Sequence, residues 1–379
     1  MAPTNRSGRK QHPEPPPFLD FFAGSGLVTE ALKPLFRPVW ANDNSSGKAA
    51  VYVANHSEVA FDPSDVANVK GESLPRAALW WASFPCQDLS LAGKLGGIDA
   101  ARSGLVWHWL RVLDEVPEND RPPLLVAENV TGLLTASGGK HYRALHMALV
   151  KRGYRAGAMV LDAALWLPQS RPRVFVVAAC KETDVSGFED LGPNWTHRRT
   201  ALGVVSNLPD FIWWKLPAPA IRTKVLDALL DFDTPCDAPE TAAHNVGLIP
   251  PRHLSRLKEE ARRGLRVAPG YKRTRPHGQV LELRFDGVAG CLRTPEGGSS
   301  RQHLVIPNHR RINTRLLTVR EAARLMGAPN TYKIQGTQDA HSLPGTYNAG
   351  YAAMGDAVAV PVARHLAKHL LLPLALRAR

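Results

Sequence analysis

Cysteine is scarce in this 379-residue chain, and long apolar runs are missing altogether. The four cysteines, Cys86, Cys180, Cys236 and Cys291, lie far apart, so no pair has zinc-ligand spacing and no disulfide framework is expected. No run of 18 apolar residues occurs, which argues against a membrane-spanning helix. The polar start, residues 1–17, lacks the apolar region of a signal peptide. These absences predict a cytoplasmic protein with no metal site and no contact with a membrane.

Acidic residues are fewer than basic ones in this chain. Asp and Glu number 34 against 47 Lys and Arg, which gives a net charge of +13. Such a charge favours a polyanionic partner, because the field attracts nucleic acid and raises its association rate, although a generically basic protein fits the count equally well. Between Arg252 and Arg284 there are ten basic residues and three Glu, which a solvated surface would also explain. Residues 1–17, with three basic residues followed by prolines, are expected to form a flexible arm.

Between Phe18 and Ala179, apolar runs alternate with amphipathic stretches, which predicts a doubly wound α/β domain. From Lys181 to Val305 prolines, glycines and short strand-like pieces replace that alternation. Thr318 and Glu321 then form a capping box. The predicted strands are Phe18–Phe22, Val39–Asn42, Ala78–Ser83, Leu124–Glu128, Met159–Leu165 and Val174–Ala178, and the predicted helices are Leu27–Lys33, Ser46–Asn55, Ser103–Glu115, Tyr142–Arg152 and Ala357–Leu372.

The first strand runs into a glycine turn, residues 22–26, and a helix follows. Glycines let a ligand approach the backbone closely at the start of a helix, but the dinucleotide pattern G-x-G-x-x-G is incomplete because Thr29 occupies the third position. Asp43 ends the second strand, where an acid can bind the hydroxyls of a ribose. The turn therefore indicates a nucleoside cofactor, with a plain tight turn as the alternative.

Three further segments carry candidate catalytic groups. Cys86 follows an apolar strand, so it should lie at the sheet edge where ligands bind, although a lone cysteine is more often an inert buried residue. Glu128 ends another apolar strand, where burial can raise a carboxyl pKa enough to donate a proton; a helix-capping or ion-paired Glu is the alternative. Arg171 and Arg173 alternate at the start of the last strand, so they face one side, with surface solvation as the alternative.

Taken in order, these segments resemble the bacterial type of the cytosine-5 DNA methyltransferase family. The resemblance rests on Cys86 in Pro-Cys-Gln, on Glu-Asn-Val from Glu128, and on Gln-x-Arg-x-Arg ending at Arg173. It extends to the segments 315–329 and 355–361. It implies an S-adenosylmethionine-dependent methyltransferase fold with a doubly wound mixed sheet, and a smaller irregular target-recognition domain. The expected catalytic domain covers 18–180 and 311–379, and the target-recognition domain 181–310.

The resemblance also assigns the sites. S-adenosylmethionine is expected to contact the residues that match the family's cofactor motifs, namely Phe21, Ala23, Gly24, Gly26, Asp43, Asn44, Asp65, Val66, Leu105 and Asp356. Asp356 stands where the family has Asn, so its carboxylate should weaken cofactor binding unless a cation intervenes. Contacts to double-stranded DNA are expected from Gln87, Ser90, Lys272, Arg273, Arg275 and Arg293. Of these, Lys272, Arg273 and Arg275 belong to the basic stretch and are expected to bind phosphates.

The implied reaction follows from the weak nucleophilicity of cytosine carbon 5. A Cys86 thiolate adds to carbon 6 while Glu128 protonates nitrogen 3, and Arg173, helped by Arg171, binds the oxygen on carbon 2. The base must be flipped out of the duplex to reach this site. The resemblance thus implies a site-specific modification enzyme, monomeric and associated with the nucleoid, that acts alone or with a cognate restriction endonuclease.

Three other functions fit parts of the sequence. A zinc nucleobase deaminase would use His56, Glu58 and Cys86, but its second cysteine would fall at Leu89. A related enzyme that modifies tRNA remains an alternative, although the basic stretch favours DNA. The third is a catalytically silent DNA-binding subunit, against which the presence of all four candidate catalytic residues argues.

Overall fold

The computed structural model describes residues 14–85, 104–197, 199–205, 207–295, 301–308 and 311–378. Cys86, Gln87, Ser90 and most of the predicted arm lie outside these residues. The strands are β1 Pro17–Phe21, β2 Arg37–Asn42, β3 Ala60–Asp62, β4 Leu79–Ala82, β5 Leu124–Val130, β6 Tyr154–Asp162, β7 Pro172–Cys180, β8 Glu189–Asp190, β9 Trp213–Trp214, β10 Ala268–Arg275, β11 Gly278–Leu283, β12 Gln302–Pro307, β13 Ile312–Leu316, β14 Ile334–Gln335 and β15 Ser342–Leu343.

Helices pack around these strands. The α-helices are α1 Leu27–Leu32, α2 Ser46–Asn55, α3 Leu105–Glu115, α4 Gly132–Thr135, α5 Lys140–Lys151, α6 Arg199–Val205, α7 Pro239–Gly247, α8 Pro251–Arg262, α9 Val319–Leu325, α10 Tyr347–Asp356, α11 Val360–Leu366 and α12 Leu372–Arg377. Short 3₁₀ turns and a π-turn, Ala367–Leu371, complete the described elements. No helix among them is long and apolar enough to cross a membrane.

A seven-stranded mixed sheet forms the centre of the protein, in the order β3-β2-β1-β4-β5-β7-β6. The strands β2, β1, β4 and β5 pair in parallel, whereas β7 is antiparallel to both β5 and β6. Because β7 runs the other way, its first residues lie at the edge where the parallel strands end. The predicted doubly wound mixed sheet is therefore confirmed.

Apolar cores cover both faces of this sheet. Successive residues of a strand point to opposite faces. Trp81 and Val126 belong to the core on one face, and their neighbours Trp80 and Leu125 belong to the core on the other. Burial on both faces explains why the central strands are continuous apolar runs in the sequence.

Two predicted elements differ from the structure by three residues or more at one end or both. The strand predicted at Met159–Leu165 covers Tyr154–Asp162, because the Asp162 carboxylate accepts a hydrogen bond from the Ala164 N–H at 3.1 Å and starts a 3₁₀ turn. The helix predicted to begin at Ala357 begins at Val360. Pro361 lies in its first turn, where a proline costs no hydrogen bond, and would disrupt a helix that continued through from α10.

A second, four-stranded antiparallel sheet has the order β11-β10-β12-β13 and a small core of its own with α8, around Leu257, Leu281 and Val305. Its last strand ends at Leu316, six residues beyond the predicted domain boundary at 310. Within 181–310, the β9 side chain of Trp214 packs on the large sheet and donates a hydrogen bond to the Val177 carbonyl oxygen at 3.0 Å. The predicted target-recognition domain thus shares its first part with the packing of the large sheet.

The capping box predicted at Thr318 is present at the start of α9. The Thr318 hydroxyl accepts from the Glu321 N–H at 3.2 Å, and the Glu321 carboxylate accepts from the Thr318 N–H at 2.8 Å. The same buried carboxylate pairs with Arg315 at 2.7 Å. This helix is thereby tied to β13 as well as being capped.

Candidate active site

The turn between β1 and α1 lies at the sheet edge where the parallel strands end. Phe22, Gly24 and Gly26 all have positive φ angles, of 54°, 56° and 81°. A Cβ on Gly26 would lie 2.7 Å from the His56 ring, so this position requires glycine both for its conformation and for space. Gly24 is open on its outer side, and its N–H donates to the Asp43 carboxylate at 2.9 Å.

Phe22, rather than Phe21, faces the cavity next to this turn. Phe21 is fully buried, and its ring lies 4.9 Å from both the Trp40 and the Trp80 rings. The positive φ of Phe22 interrupts the strand alternation and directs its side chain to the cavity. Phe21 thus does not line the cavity, which favours Phe22 over the predicted Phe21 as a cofactor contact. The two adjacent phenylalanines in the sequence alone could not have told which ring is exposed.

Asp43 connects the turn to α2. One carboxylate oxygen accepts from the Gly24 N–H and the other from the Ser45 N–H, both at 2.9 Å. Each oxygen retains a lone pair for a ligand hydroxyl. Nearby, the Asn44 amide donates to the Asp65 carboxylate at 3.2 Å, and Asp65 also accepts from the Ala67 N–H. These contacts hold two acidic side chains at the same cavity.

The cavity has a volume of about 440 Å³. Most of the predicted catalytic and cofactor-binding residues line it, namely Ala23, Gly24, Asp43, Asn44, Asp65, Val66, Leu105, Glu128, Arg173 and Asp356. Phe21, Gly26 and Arg171 do not belong to the lining. The sequence reasoning missed Phe22, Lys48, Asn129 and Thr294, which do. Phe22 belongs to the glycine-turn motif and Asn129 to the Glu-Asn-Val motif, whereas Lys48 and Thr294 belong to no recognised motif.

Glu128 is a buried carboxyl group on the cavity wall. Its side chain lies at the end of β5, and Arg173 Nε at the start of β7 lies 3.3 Å from Glu128 Oε1. Burial raises the pKa of Glu128, while the charges of Arg173 and Arg171 and a hydrogen bond with Ser83 act in the opposite direction. A carboxyl with a raised pKa can hold a proton nearer neutral pH and donate it to a bound molecule.

Asn129 holds the segment that directly precedes Cys86 in the sequence. Its amide donates to the Phe84 carbonyl oxygen at 2.9 Å, and its own oxygen accepts from the Val130 N–H. Pro85, which follows Phe84, lines the cavity. Cys86 is the next residue in the sequence and lies outside the described residues, so the segment that precedes it is placed beside Glu128.

Arg171 and Arg173 lie on one side, as expected, because both guanidinium groups approach the Cys291 sulfur, at 3.4 and 3.9 Å, but only Arg173 lines the cavity. The Arg171 guanidinium is buried and donates to the carbonyl oxygens of Leu292, Gly355 and Ala357 at 2.7–3.0 Å. Burial lowers its pKa to about 10, so it stays charged at neutral pH. Arg171 therefore fixes the backbone beside Asp356, and Arg173 is the arginine at the cavity.

Lys48 supplies a cation beside Asp356. The Lys48 Nζ lies 2.6 Å from an Asp356 carboxylate oxygen, and both residues line the cavity. The condition stated for Asp356, that a cation intervenes, is therefore met by Lys48.

A second groove, lined by five arginines, lies between β7 and the four-stranded sheet. Its basic residues are Arg252, Arg273, Arg275, Arg284 and Arg293. Arg275 pairs with Glu282, and Arg284 pairs with Asp286. Lys272 is out of phase with Arg273 and Arg275 on β10 and does not line the groove. The three predicted phosphate contacts thus do not share one face.

The described residues contain no group of three or more His, Cys, Asp or Glu side chains that could hold a metal ion. The cysteines among them, Cys180, Cys236 and Cys291, are free thiols.

Comparisons with known proteins identify the family of the chain. The sequence model of the family described as C-5 cytosine-specific DNA methylase matches residues 17–371. The chain is 26% identical to the type II methyltransferase M.MthTI of Methanothermobacter thermautotrophicus over 92% of this chain and 95% of that protein. It is 40% identical to M2.BsuMI of Bacillus subtilis over 29% of this chain and 28% of that one.

Solved structures show the same fold. The S. pombe Dnmt2 methyltransferase superposes with a TM-score of 0.57 at 18% identity, covering 94% of this chain and 98% of that chain. A putative DNA modification methyltransferase from an E. coli prophage gives a TM-score of 0.53 at 18% identity, covering 96% and 99%. At these identities the structural likeness concerns the fold, whereas the family match spans almost the entire chain. The chain belongs to the C-5 cytosine-specific DNA methylase family.

Proposed function

We propose that this protein transfers a methyl group from S-adenosylmethionine to carbon 5 of cytosine at a specific site in double-stranded DNA. The observation that carries the proposal is the buried Glu128, paired with Arg173 and lining the same cavity as the glycine turn. The proton donor Glu128, the cation Arg173 and the glycine turn thus line one cavity of about 440 Å³. The family membership supplies the reaction class.

The cavity fits S-adenosylmethionine. Gly24 presents backbone without a side chain, since nothing but the Lys48 stem would lie within 4 Å of a Cβ there. Asp43 retains acceptor capacity for ribose hydroxyls, and Asp65 and Val66 form the wall that the resemblance assigns to adenine. When bound there, the cofactor would supply the methyl group from its positively charged sulfonium.

The protein's own groups then activate cytosine. Cys86, as a thiolate, forms a bond to carbon 6, and the electron pair displaced toward nitrogen 3 takes a proton from Glu128. Arg173 binds the oxygen on carbon 2 and pairs with the Glu128 carboxylate that results. Once carbon 5 is methylated, loss of its proton to a base re-forms the double bond and expels Cys86. The reacting face is inaccessible in a duplex, so the base must be flipped into the cavity.

Arg171 has a positioning role in this proposal. Its hydrogen bonds to Leu292, Gly355 and Ala357 join β7 to the two segments that complete the cavity. The neighbouring Thr294 and Asp356 are thereby held at the lining.

We propose that the arginine groove binds DNA phosphates. Among the described residues no acid pairs with Arg252, Arg273 or Arg293, so their charges are available to a polyanion. Arg275 and Arg284 are partly neutralised by their acidic partners. The free arginines adjoin Cys291, whose sulfur lies 3.9 Å from Arg173, so DNA in the groove would lie next to the active site.

Replacing Arg252 and Arg273 together by Ala should weaken DNA binding evenly across sequences. Each lost phosphate contact should reduce the slope of log K against log salt concentration by about 0.9, as measured by fluorescence anisotropy at several salt concentrations. Lys272→Ala is the matched control, because this neighbouring cation lies outside the groove, and it should leave the slope unchanged. A loss confined to one DNA sequence would make the arginines base readers instead.

Expression in cells that lack cytosine-5 methylation tests the function as a whole. Bisulfite sequencing of their DNA should find 5-methylcytosine at one recurring sequence, absent from cells that carry the empty vector. Methylation found only in tRNA would favour the RNA alternative. A folded protein that leaves both nucleic acids unmethylated would be a catalytically silent subunit.

We propose a monomer that acts on nucleoid DNA, alone or beside a cognate restriction endonuclease. The similarity to type II methyltransferases supports this context.

A further inference from the structure

The ion pair between Lys48 and Asp356 connects two distant parts of the chain at the cavity. Lys48 lies in the first turn of α2, and Asp356 is the last residue of α10. The Lys48 Cδ lies 4.0 Å from the position of a Cβ on Gly24, so the lysine stem passes over the glycine turn. The two charged groups therefore lie directly at the surface that the cofactor would occupy.

The other charged groups of the lining are already engaged. Asp43 and Asp65 each accept backbone N–H groups, and Glu128 pairs with Arg173. Within the described residues, Lys48 and Asp356 make an ion pair only with each other. Their side chains are 27% and 40% exposed, so both can exchange this partner for one delivered from solution.

We infer that Lys48 and Asp356 together bind the α-amino acid end of the cofactor. The inference rests on the proposed use of S-adenosylmethionine, whose amino acid end carries one carboxylate and one ammonium group. Lys48 would pair with the carboxylate and Asp356 with the ammonium, so each exchanges one partner of opposite charge for another. No charge is left unpaired by the exchange, because a cation and an anion enter together.

This arrangement explains the acid at position 356. An Asp next to a bound carboxylate would repel it, but here Lys48 stands between the two negative groups. We accordingly expect Asp356→Asn to weaken cofactor binding, which reverses the expectation from the sequence. The sequence could not indicate this ion pair, because Lys48 and Asp356 are 308 residues apart and no local pattern relates them.

Calorimetry with three ligands tests the assignment on the full chain. S-adenosylmethionine has both charged groups, its decarboxylated form retains only the ammonium, and 5′-methylthioadenosine has neither. Lys48→Met should weaken binding of S-adenosylmethionine by roughly 10- to 100-fold, the scale of a charge-assisted hydrogen bond. It should leave the decarboxylated form unchanged or tighter and methylthioadenosine unchanged, and Lys48→Arg should restore most of the affinity.

Asp356→Asn should weaken both ligands that carry the ammonium and spare methylthioadenosine. Lys33→Met is the matched control, because it breaks another 2.6 Å lysine–carboxylate pair, with Glu30, outside the cavity lining, and it should change none of the three affinities. Equal losses for all three ligands in the Lys48 and Asp356 variants would show that the pair only supports the fold, and would overturn the inference. A wild-type protein that binds none of the three would overturn the proposed cofactor itself.

Discussion

Replacing Cys86 by Ala is expected to abolish methyl transfer to DNA while leaving cofactor and DNA binding largely intact. Without the thiolate, nothing adds to carbon 6 of cytosine, so carbon 5 remains a poor nucleophile. Loss of one small side chain leaves Glu128, Arg173 and the glycine turn in place. Transfer of a radioactive methyl group, with calorimetry for the cofactor, measures the two properties separately. Cys236→Ala is the control, since that exposed thiol lies outside the cavity.

A covalent trap tests directly whether Cys86 is the nucleophile. DNA with 5-fluorocytosine at the target should form a denaturation-resistant adduct with the intact protein plus cofactor, because fluorine cannot leave carbon 5 as a proton does. The Cys86→Ala protein should form none. Cys291 is the rival nucleophile, with its sulfur 3.9 Å from Arg173, and an adduct that persists without Cys86 but disappears with Cys291→Ala would refute the assignment.

Glu128→Gln should slow the chemical step by roughly 10²- to 10⁴-fold, the usual contribution of general acid catalysis. The amide keeps the shape of the buried group but has no acid proton for nitrogen 3. Single-turnover kinetics with saturating DNA isolates this step. Glu189→Gln, which alters an exposed glutamate paired with Arg155, is the matched control and should be as fast as wild type.

The pH dependence gives Glu128 a second signature. Burial raises the pKa of Glu128, and only its protonated form can act, so the rate should fall as pH increases through that raised pKa. Cys86 must be deprotonated, which limits the rate on the acidic side. The wild-type profile should therefore be bell-shaped, and Glu128→Gln should lose the alkaline limb. An unchanged alkaline limb in that variant would assign the proton to another group.

Much of the architecture was predictable because it depends on local patterns. Apolar runs buried on both sheet faces marked β1, β4 and β5, and the ends of β2 and β5 located Asp43 and Glu128 at one edge. The helix Ser46–Asn55 was predicted with its observed bounds. The errors lie where a single residue changes the local geometry, as Asp162 does by ending β6 and Pro361 by starting α11.

The sequence by itself determined the order of the motifs, and with it the family, the reaction class and the candidates Cys86 and Glu128. Only the tertiary structure decided which side chains reach the cavity. Phe22 faces it through a positive φ, and Arg171 turns away to backbone carbonyls more than a hundred residues distant. Lys48 meets Asp356 because α2 and α10 converge there. Side-chain partners of this kind depend on packing between remote segments, and motif spacing describes only residues close together in the chain.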